Sequence, residues 1–285
     1  MIRELRPKYP LLPVVRMCQL LEVPRSLVYR KPSERAERAR FYRELTLEIA
    51  SVLGVHPGYG YRRVRRELAR RGFVCGYKSV CRAMREAGFQ RKRRRPYPKT
   101  SDGKGRGNHP NLLGDGAFID GPGQAWVADI TYIGLPGGFA YLACILDVYL
   151  RKIVGKAMSI RIDAKLTLSA LEDALSNMRP APGWIHHSDR GSQYLSDDYV
   201  KKVLDAGGRI SCSDKGCPED NAFMESFFKT LKAEEVWLED YESFPQADQS
   251  ITRFIGYYNA ERMHSSLNYM SPEEFEQWLK DNDPS

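Results

Sequence analysis

The sequence predicts an α/β fold, a mixed sheet with helices on both faces, preceded by a basic all-helical region. Three observations predict it. From Ala125 onward, β-branched and aromatic runs of strand length appear. The first three follow one another across short turns, and the later ones alternate with stretches of helical periodicity, as in a mixed sheet. Before residue 110 the apolar residues recur at helical spacing, with Pro and Gly marking the breaks. Charge divides the chain at the same place: residues 1–110 hold 28 Lys plus Arg against 9 Asp plus Glu, and residues 111–285 hold 16 against 27.

That division bounds the function. A chain of 285 residues has room for about two domains, each with a core. A basic half joined to an acidic half, with a net charge of +8, points to a polyanion for the first and to cations, or chemistry on that polyanion, for the second. Nucleic acid fits best. No hydrophobic anchor or lipidation signal accompanies the basic arm, the run at 139–146 is too short to span a bilayer, and no secretory h-region opens the chain, so the expectation is a cytoplasmic protein without a membrane partner. The six cysteines are scattered, without C-x-x-C or zinc spacing, and read as reduced thiols. Cys212 and Cys217, around a short polar loop, leave a metal or redox pair open.

In chain order, residues 14–22 show helical spacing and, with 25–29 beyond Val23-Pro24, suggest either a helix-turn-helix or a plain helical hairpin. Residues 33–53 form a long helix with Phe41, Leu45, Ile49 and Val52 in one stripe. Gly58 to Val64 opens a helix with Val64 and Leu68 inward and five arginines around it. After Arg71-Gly72, Ser79 is expected to cap a helix that buries Val80, Ala83, Met84 and Ala87 and exposes Lys78, Arg82 and Arg85. This helix is the candidate for reading DNA, against the plainer reading of a basic surface helix. Arg91, Lys92, Arg93, Arg94 and Arg95 then open a Pro- and Gly-rich arm too polar to fold alone, suited to salt-sensitive phosphate contacts. The domains expected are 1–90 (basic, helical, DNA-binding), 91–118 (linker) and 119–285 (the sheet domain with its terminal helices).

In the acidic half, strands are expected over 126–133, 139–147, 152–158, 183–188 and 209–213, and helices over 163–178 and 197–206. Asp163 should cap the first of these helices. Ser271-Pro272-Glu273-Glu274 carries a complete helix-start signal of cap, first-position Pro and third-position Glu. Three acids stand out. Asp129 lies inside a strand otherwise made of apolar, β-branched and aromatic residues, where a bare carboxylate needs a partner. Asp189 ends the fourth strand. Glu225 lies in the first turn of the helix 221–232, capped by Asp220 or Asn221, opposite Phe223, Phe227 and Leu231 and beside Lys229 and Lys232. Three converging carboxylates with oxygen-only donors suit Mg²⁺ or Mn²⁺, and two such ions can clamp both oxygens of a phosphoryl displacement. The plainer reading of Glu225 is a surface acid paired with its lysines. Asp147 also ends a strand and reads as a turn cap, and His186 and His187 read as structural, because a hard-cation site has little use for imidazole.

Asp129, Asp189 and Glu225, with 35 residues between the last two and Lys232 seven after the Glu, resemble the Asp-Asp-Glu core of retroviral integrases and many transposases. The words His187-Ser188-Asp189-Arg190-Gly191-Ser192-Gln193-Tyr194, Asp220-Asn221-Ala222 with Glu225-Ser226-Phe227-Phe228-Lys229, and Tyr258-Asn259 with Arg262, His264-Ser265-Ser266-Leu267 and Ser271-Pro272 resemble the second-reading-frame product of the IS-three family of bacterial insertion sequences. The resemblance spans roughly residues 40–280 and implies an RNase H-like integrase catalytic core preceded by a helix-turn-helix-like region. It further implies a transposase that cuts the ends of its element and transfers the freed 3′-hydroxyl, with Asp129, Asp189 and Glu225 holding two Mg²⁺ or Mn²⁺ ions. The implied partners are double-stranded DNA (terminal inverted repeats and target), the first-reading-frame protein or a frameshifted fusion with it, and further copies of the chain on DNA. Lys229, Lys232 and Arg262 are the expected DNA contacts of the core, although Arg262 and His264 fit equally a role in tying the last helix down. Asp214 stands where relatives usually show a basic or small residue. The rival readings are a catalytically inactive DNA-binding regulator, which the intact acids oppose, and a two-carboxylate glycosidase, which leaves the basic half unexplained.

Overall fold

The structure, a computed structural model, describes residues 9–10, 12–25, 34–89, 109–114, 117–213 and 221–282. The expected helix beyond Arg25, the arm from Arg91 to Arg95, Asp214, Cys217 and Asp220 lie outside the described residues.

The basic region folds as helices. α1 (Val14–Leu20) buries only Met17 and Cys18. α2 (Glu34–Val55), α3 (Tyr61–Arg70) and α4 (Tyr77–Glu86) surround one core in which Leu45, Ile49, Val52, Val64, Leu68 and Val80 are fully buried. The stripe read from α2 is thus the wall of that core. α4 starts two residues before Ser79: its cap is Gly76, with no side-chain cap bond, and Ser79 falls in the first turn with its N–H on the Gly76 carbonyl. Ala87, expected inside, is exposed because the helix has already ended.

In the acidic half five strands form one sheet in the order β3-β2-β1-β4-β5. β1 (Ala125–Leu135), β2 (Gly138–Asp147) and β3 (Ile153–Ser159) are antiparallel, whereas β4 (Ile185–Ser188) pairs parallel to β1, and β5 (Arg209–Cys212) parallel to β4. Crossing to a parallel neighbour needs a long connection, and helices supply both. They are α5 (Ala164–Asn177), capped by Asp163 accepting from the Leu166 N–H at 3.0 Å, and α6 (Asp197–Asp205). Both cover the face that carries Trp126 and Ala128. α7 (Ala222–Leu231) and α8 (Phe244–Ala260) cover the opposite face, over Ala125, Val127 and Ile133.

Gly155 sets how closely α5 approaches. A Cβ there would stand 2.3 Å from the Ala170 carbonyl oxygen and 2.5 Å from the Ala174 Cβ, both on fixed helix backbone or its first side-chain atom. Gly155→Ala is therefore expected to cost about 1–3 kcal/mol through overpacking; an unchanged denaturation midpoint would show that α5 can lift without penalty.

α7 does not stop cleanly. It widens into a π turn over Lys232–Val236, which carries Glu234 inward. α9 (Pro272–Asn282) opens on the predicted capping box, with the Ser271 N–H on Glu274 at 2.7 Å and the Glu274 N–H on the Ser271 hydroxyl at 3.2 Å. The stretch between α8 and α9 turns back to the first helices: Met263 is buried in their core, its N–H donates to the Tyr59 hydroxyl at 3.0 Å, and Arg70 makes a two-armed contact with Glu274. No helix among the described residues is long and apolar enough to cross a membrane.

Candidate active site

Side chains alternate along a strand, so β1 itself decides where Asp129 points. Ala125 and Val127 lie under α7 and α8, and Trp126 and Ala128 on the other face. By parity Asp129 shares the face of Val127 and meets α7. The parallel register that sets Ala128 against Ser188 brings Asp189, the next residue after β4, beside Asp129. Glu225 stands in the first turn of the helix across that face. Asp189 and Glu225, dozens of positions away in the chain, thus both come within electrostatic reach of Asp129.

Their ionisation reflects it. Burial, and then the negative charge of Asp189, push the Asp129 carboxyl up from 3.8 to about 7; the Ile130 N–H and Lys232 pull the other way, and Glu225 adds to the rise. Burial likewise raises Asp189, opposed by the Gly191 N–H. Each Asp takes one backbone donor on Oδ1, from Ile130 at 2.8 Å and from Gly191 at 3.0 Å, and no described residue donates to the other oxygen of either. The donor set is oxygen only, which suits a hard divalent cation. Among the described residues no group of three is drawn tightly enough to enclose an ion as it stands. Glu225 is held instead by Lys229 in an i,i+4 ion pair of 2.9 Å.

A sign follows for stability. Because its pKa is raised, folded Asp129 keeps a proton that the unfolded chain releases between its ordinary 3.8 and about 7. Stability without divalent ions therefore falls as pH rises through that window, and Asp189 acts in the same direction. Melting temperatures in chelator should be lower at pH 8 than at pH 6, with a smaller gap in Asp129→Asn. An equal gap in the variant would sink this account.

Lys232 lies in the field of Asp129, with its ammonium 4.4 Å from the Tyr132 ring centroid. Asp147 is no part of this group. It faces the Trp126 side, where it accepts from Gly123 N–H at 2.7 Å, Leu150 N–H at 2.8 Å and the Trp126 indole at 3.3 Å, so it caps the turn after β2. His186 bonds the Tyr199 hydroxyl, and His187 bridges Ser211 at 2.8 Å and Ser213 at 3.1 Å; both are buried in the framework.

The expected DNA contacts separate. Lys78 and Arg85 are exposed on α4. Arg82 is exposed too, but its guanidinium is tied to Glu86 at 2.7 Å and laid over the Tyr42 ring. Lys229 is open to solvent while paired with Glu225. Arg262 is a correction: its side chain is 4% exposed and grips Glu234 with two bonds of 2.8 and 3.0 Å, so it ties elements together and offers no free cation at the surface. The sequence left a tying role open beside DNA contact but could not name the partner, which lies 28 residues away in a π turn that no periodicity announces.

Family models of the integrase core domain match residues 120–218 and 206–272, the first containing Asp129 and Asp189 and the second Glu225, and a model of an HTH-like domain matches residues 43–97. The transposase for insertion sequence element IS904 of Lactococcus lactis is 38% identical over 254 residues, 88% of this chain and 99% of its own length. The chain belongs to the IS-three (IS3) family of insertion-sequence transposases. Transposase InsF for insertion sequence IS3A of Escherichia coli is 34% identical, over 91% of this chain and 92% of its own. Among solved structures, the HTLV-2 integrase catalytic core domain in complex with magnesium superposes on 54% of this chain and 96% of its own, at 16% identity and a TM-score of 0.43.

As a transposase of this family the chain acts in DNA transposition and integration, and its integrase core is a polynucleotidyl transferase in the general sense. The HTH-like match takes in the second half of α2, α3 and α4. Among rivals read from sequence, the glycosidase falls with this assignment.

Proposed function

We propose that Asp129, Asp189 and Glu225 form the centre at which this transposase cuts the ends of its element and joins the freed 3′-hydroxyl to target DNA. What supports the reading is the parallel register that brings Asp189 beside Asp129, the helix α7 that carries Glu225 across the same face, and an Asp129 unable to ionise cheaply until a cation offsets its neighbours. Two Mg²⁺ or Mn²⁺ ions held by these three side chains would activate the attacking water or hydroxyl and stabilise the leaving oxygen.

The remaining work belongs to the chain. Lys229 pairs with Glu225, and a phosphate arriving at the exposed side of α7 would draw Lys229 away and release the carboxylate toward Asp129. Lys232, steadied over Tyr132, would meet a phosphate as a point charge beside the reacting bond. The region 1–90 would hold duplex DNA through Lys78 and Arg85 on α4, and the linker 91–118 would follow the backbone through Arg91, Lys92, Arg93, Arg94 and Arg95. Recognition of the terminal inverted repeats would come with the first-reading-frame protein or a fusion to it, on several copies of the chain assembled on DNA in the bacterial cytoplasm.

The test is cleavage of a duplex carrying the element's own terminal repeat. Nicking should appear with Mg²⁺ or Mn²⁺ and vanish in chelator, and retained nicking in chelator would refute the metal assignment. Nanomolar, salt-resistant binding of the repeat by this chain alone would refute its reliance on the first-frame protein.

A further inference from the structure

A cavity of about 150 Å³ opens beside α7, and nothing in the proposed reaction uses it. Arg63 from α3, Arg151 from the turn between β2 and β3, Arg262 and His264 from the stretch after α8, and Ser226 and Thr230 from α7 line it. No carboxylate among the described residues does. Four separate parts of the chain therefore meet around a polar hollow of one sign.

Of its three guanidinium groups only Arg262 is neutralised, by Glu234. Arg63 and Arg151 have no ion pair with any described residue; Arg63 is drawn over the Tyr59 ring and Arg151 over the Phe223 ring, 4.0 Å from its centroid. Burial lowers both from the ordinary guanidinium range, more than the fields of Glu234 at Arg63 and of Asp147 at Arg151 raise them, so two charges are partly desolvated without an ion-pair partner among the described residues. Arg151 is also held at a φ of 58°, a left-handed conformation that a long side chain adopts only when its surroundings require it. His264 is kept neutral, down to about 3, by burial and by the charges of Arg262, Arg63 and Arg151 together. Its Nε2 is buried with no hydrogen-bond partner among the described residues.

We infer that this cavity is a phosphate site that receives one backbone phosphate of DNA lying across α7. A tetrahedral oxyanion suits the volume, which is roughly that of a few waters. Two unpaired guanidinium groups and two helix hydroxyls suit its charge and its acceptors. The direction of the strand comes from α7: at about 100° per residue, Ser226 and Thr230 lie on one flank of the exposed face, and Glu225 and Lys229 on the other. A strand crossing that face meets both. The inference rests on DNA being what the family acts on, and not on the carboxylate assignment.

The test uses the full chain and a duplex carrying the terminal repeat, with affinity followed by anisotropy over a salt series. Arg151→Gln and, separately, Thr230→Val are expected to weaken binding about five- to tenfold for the arginine and less for the threonine. The salt slope should fall by about one for Arg151→Gln. A neutral methylphosphonate walked along the duplex should abolish the difference between Arg151→Gln and the unmodified chain at one position only. Asp129→Asn should keep the full affinity and the full slope, which separates this site from the reaction centre. Wild-type affinity and slope in both pocket variants would overturn the proposal. So would protection from melting by inorganic phosphate that Arg151→Gln abolishes while duplex binding is untouched, since the site would then take free anions and not DNA.

Discussion

Asp129→Asn is expected to lower cleavage of the element's ends by at least about a thousandfold while leaving duplex affinity unchanged. Asn keeps the shape and the acceptor that meets the Ile130 N–H, so β1 and its register are not disturbed. What disappears is the charge. In the free chain that charge is a burden, because burial and Asp189 oppose it, and the variant should melt at a higher temperature than the parent at pH 8 in chelator. An inactive protein of raised stability is a combination that a folding defect cannot produce. Divalent ions should protect the parent from melting at pH 8 more than at pH 6, and should protect Asp129→Asn much less at either pH. Substantial cleavage by the variant would remove Asp129 from the reaction, and with it the proposed centre.

Glu234→Ala is expected to cost about 3–5 kcal/mol, the usual result of removing one partner from a buried ion pair. Arg262 would be left with its charge uncompensated among apolar and basic neighbours, beside Arg63, whose ionisation it already depresses. For a chain of this size the melting temperature should drop by about 10 °C. The damage should spread to the contact between the first helices and the core, because the Glu234 carboxylate also fills the space over Gly58: a Cβ there would stand 2.2 Å from its Cδ. Gly58→Ala should therefore show a smaller loss in the same direction, while Glu234→Gln, which keeps one acceptor, should fall between. A drop of under about 2 °C for Glu234→Ala would mean that the pair orders the joint without stabilising it.

Much of the sheet was legible because strands speak a short-range language. The β-branched and aromatic run around Asp129 marks a buried strand from its own residues, and the close succession of three such runs implies antiparallel neighbours. The cap at Asp163 and the capping box at Ser271 were legible for the same reason, since donor and acceptor lie three residues apart. Ser79 misled because it has the chemistry of a cap but follows Gly76, whose extended backbone already begins the helix. Arg262 stayed undecided between DNA contact and tying the last helix down, because its burial depends on a π turn that no local pattern announces. Arg63 and Arg151 carry no local mark that sets them apart from the other arginines of their segments.

By itself the sequence determined which acids stand in strand-like and helix-start surroundings, how charge divides the chain, and to which family its words belong. Only the tertiary structure decided that β4 enters the sheet next to β1, so that Asp189 comes to lie beside Asp129. It also decided that Arg262 is spent on Glu234 while Arg63 and Arg151 are left facing a cavity. The physical reason is range. Propensity, periodicity and capping act over a few residues, whereas register between distant strands and the pairing of buried charges are settled only when the whole core closes.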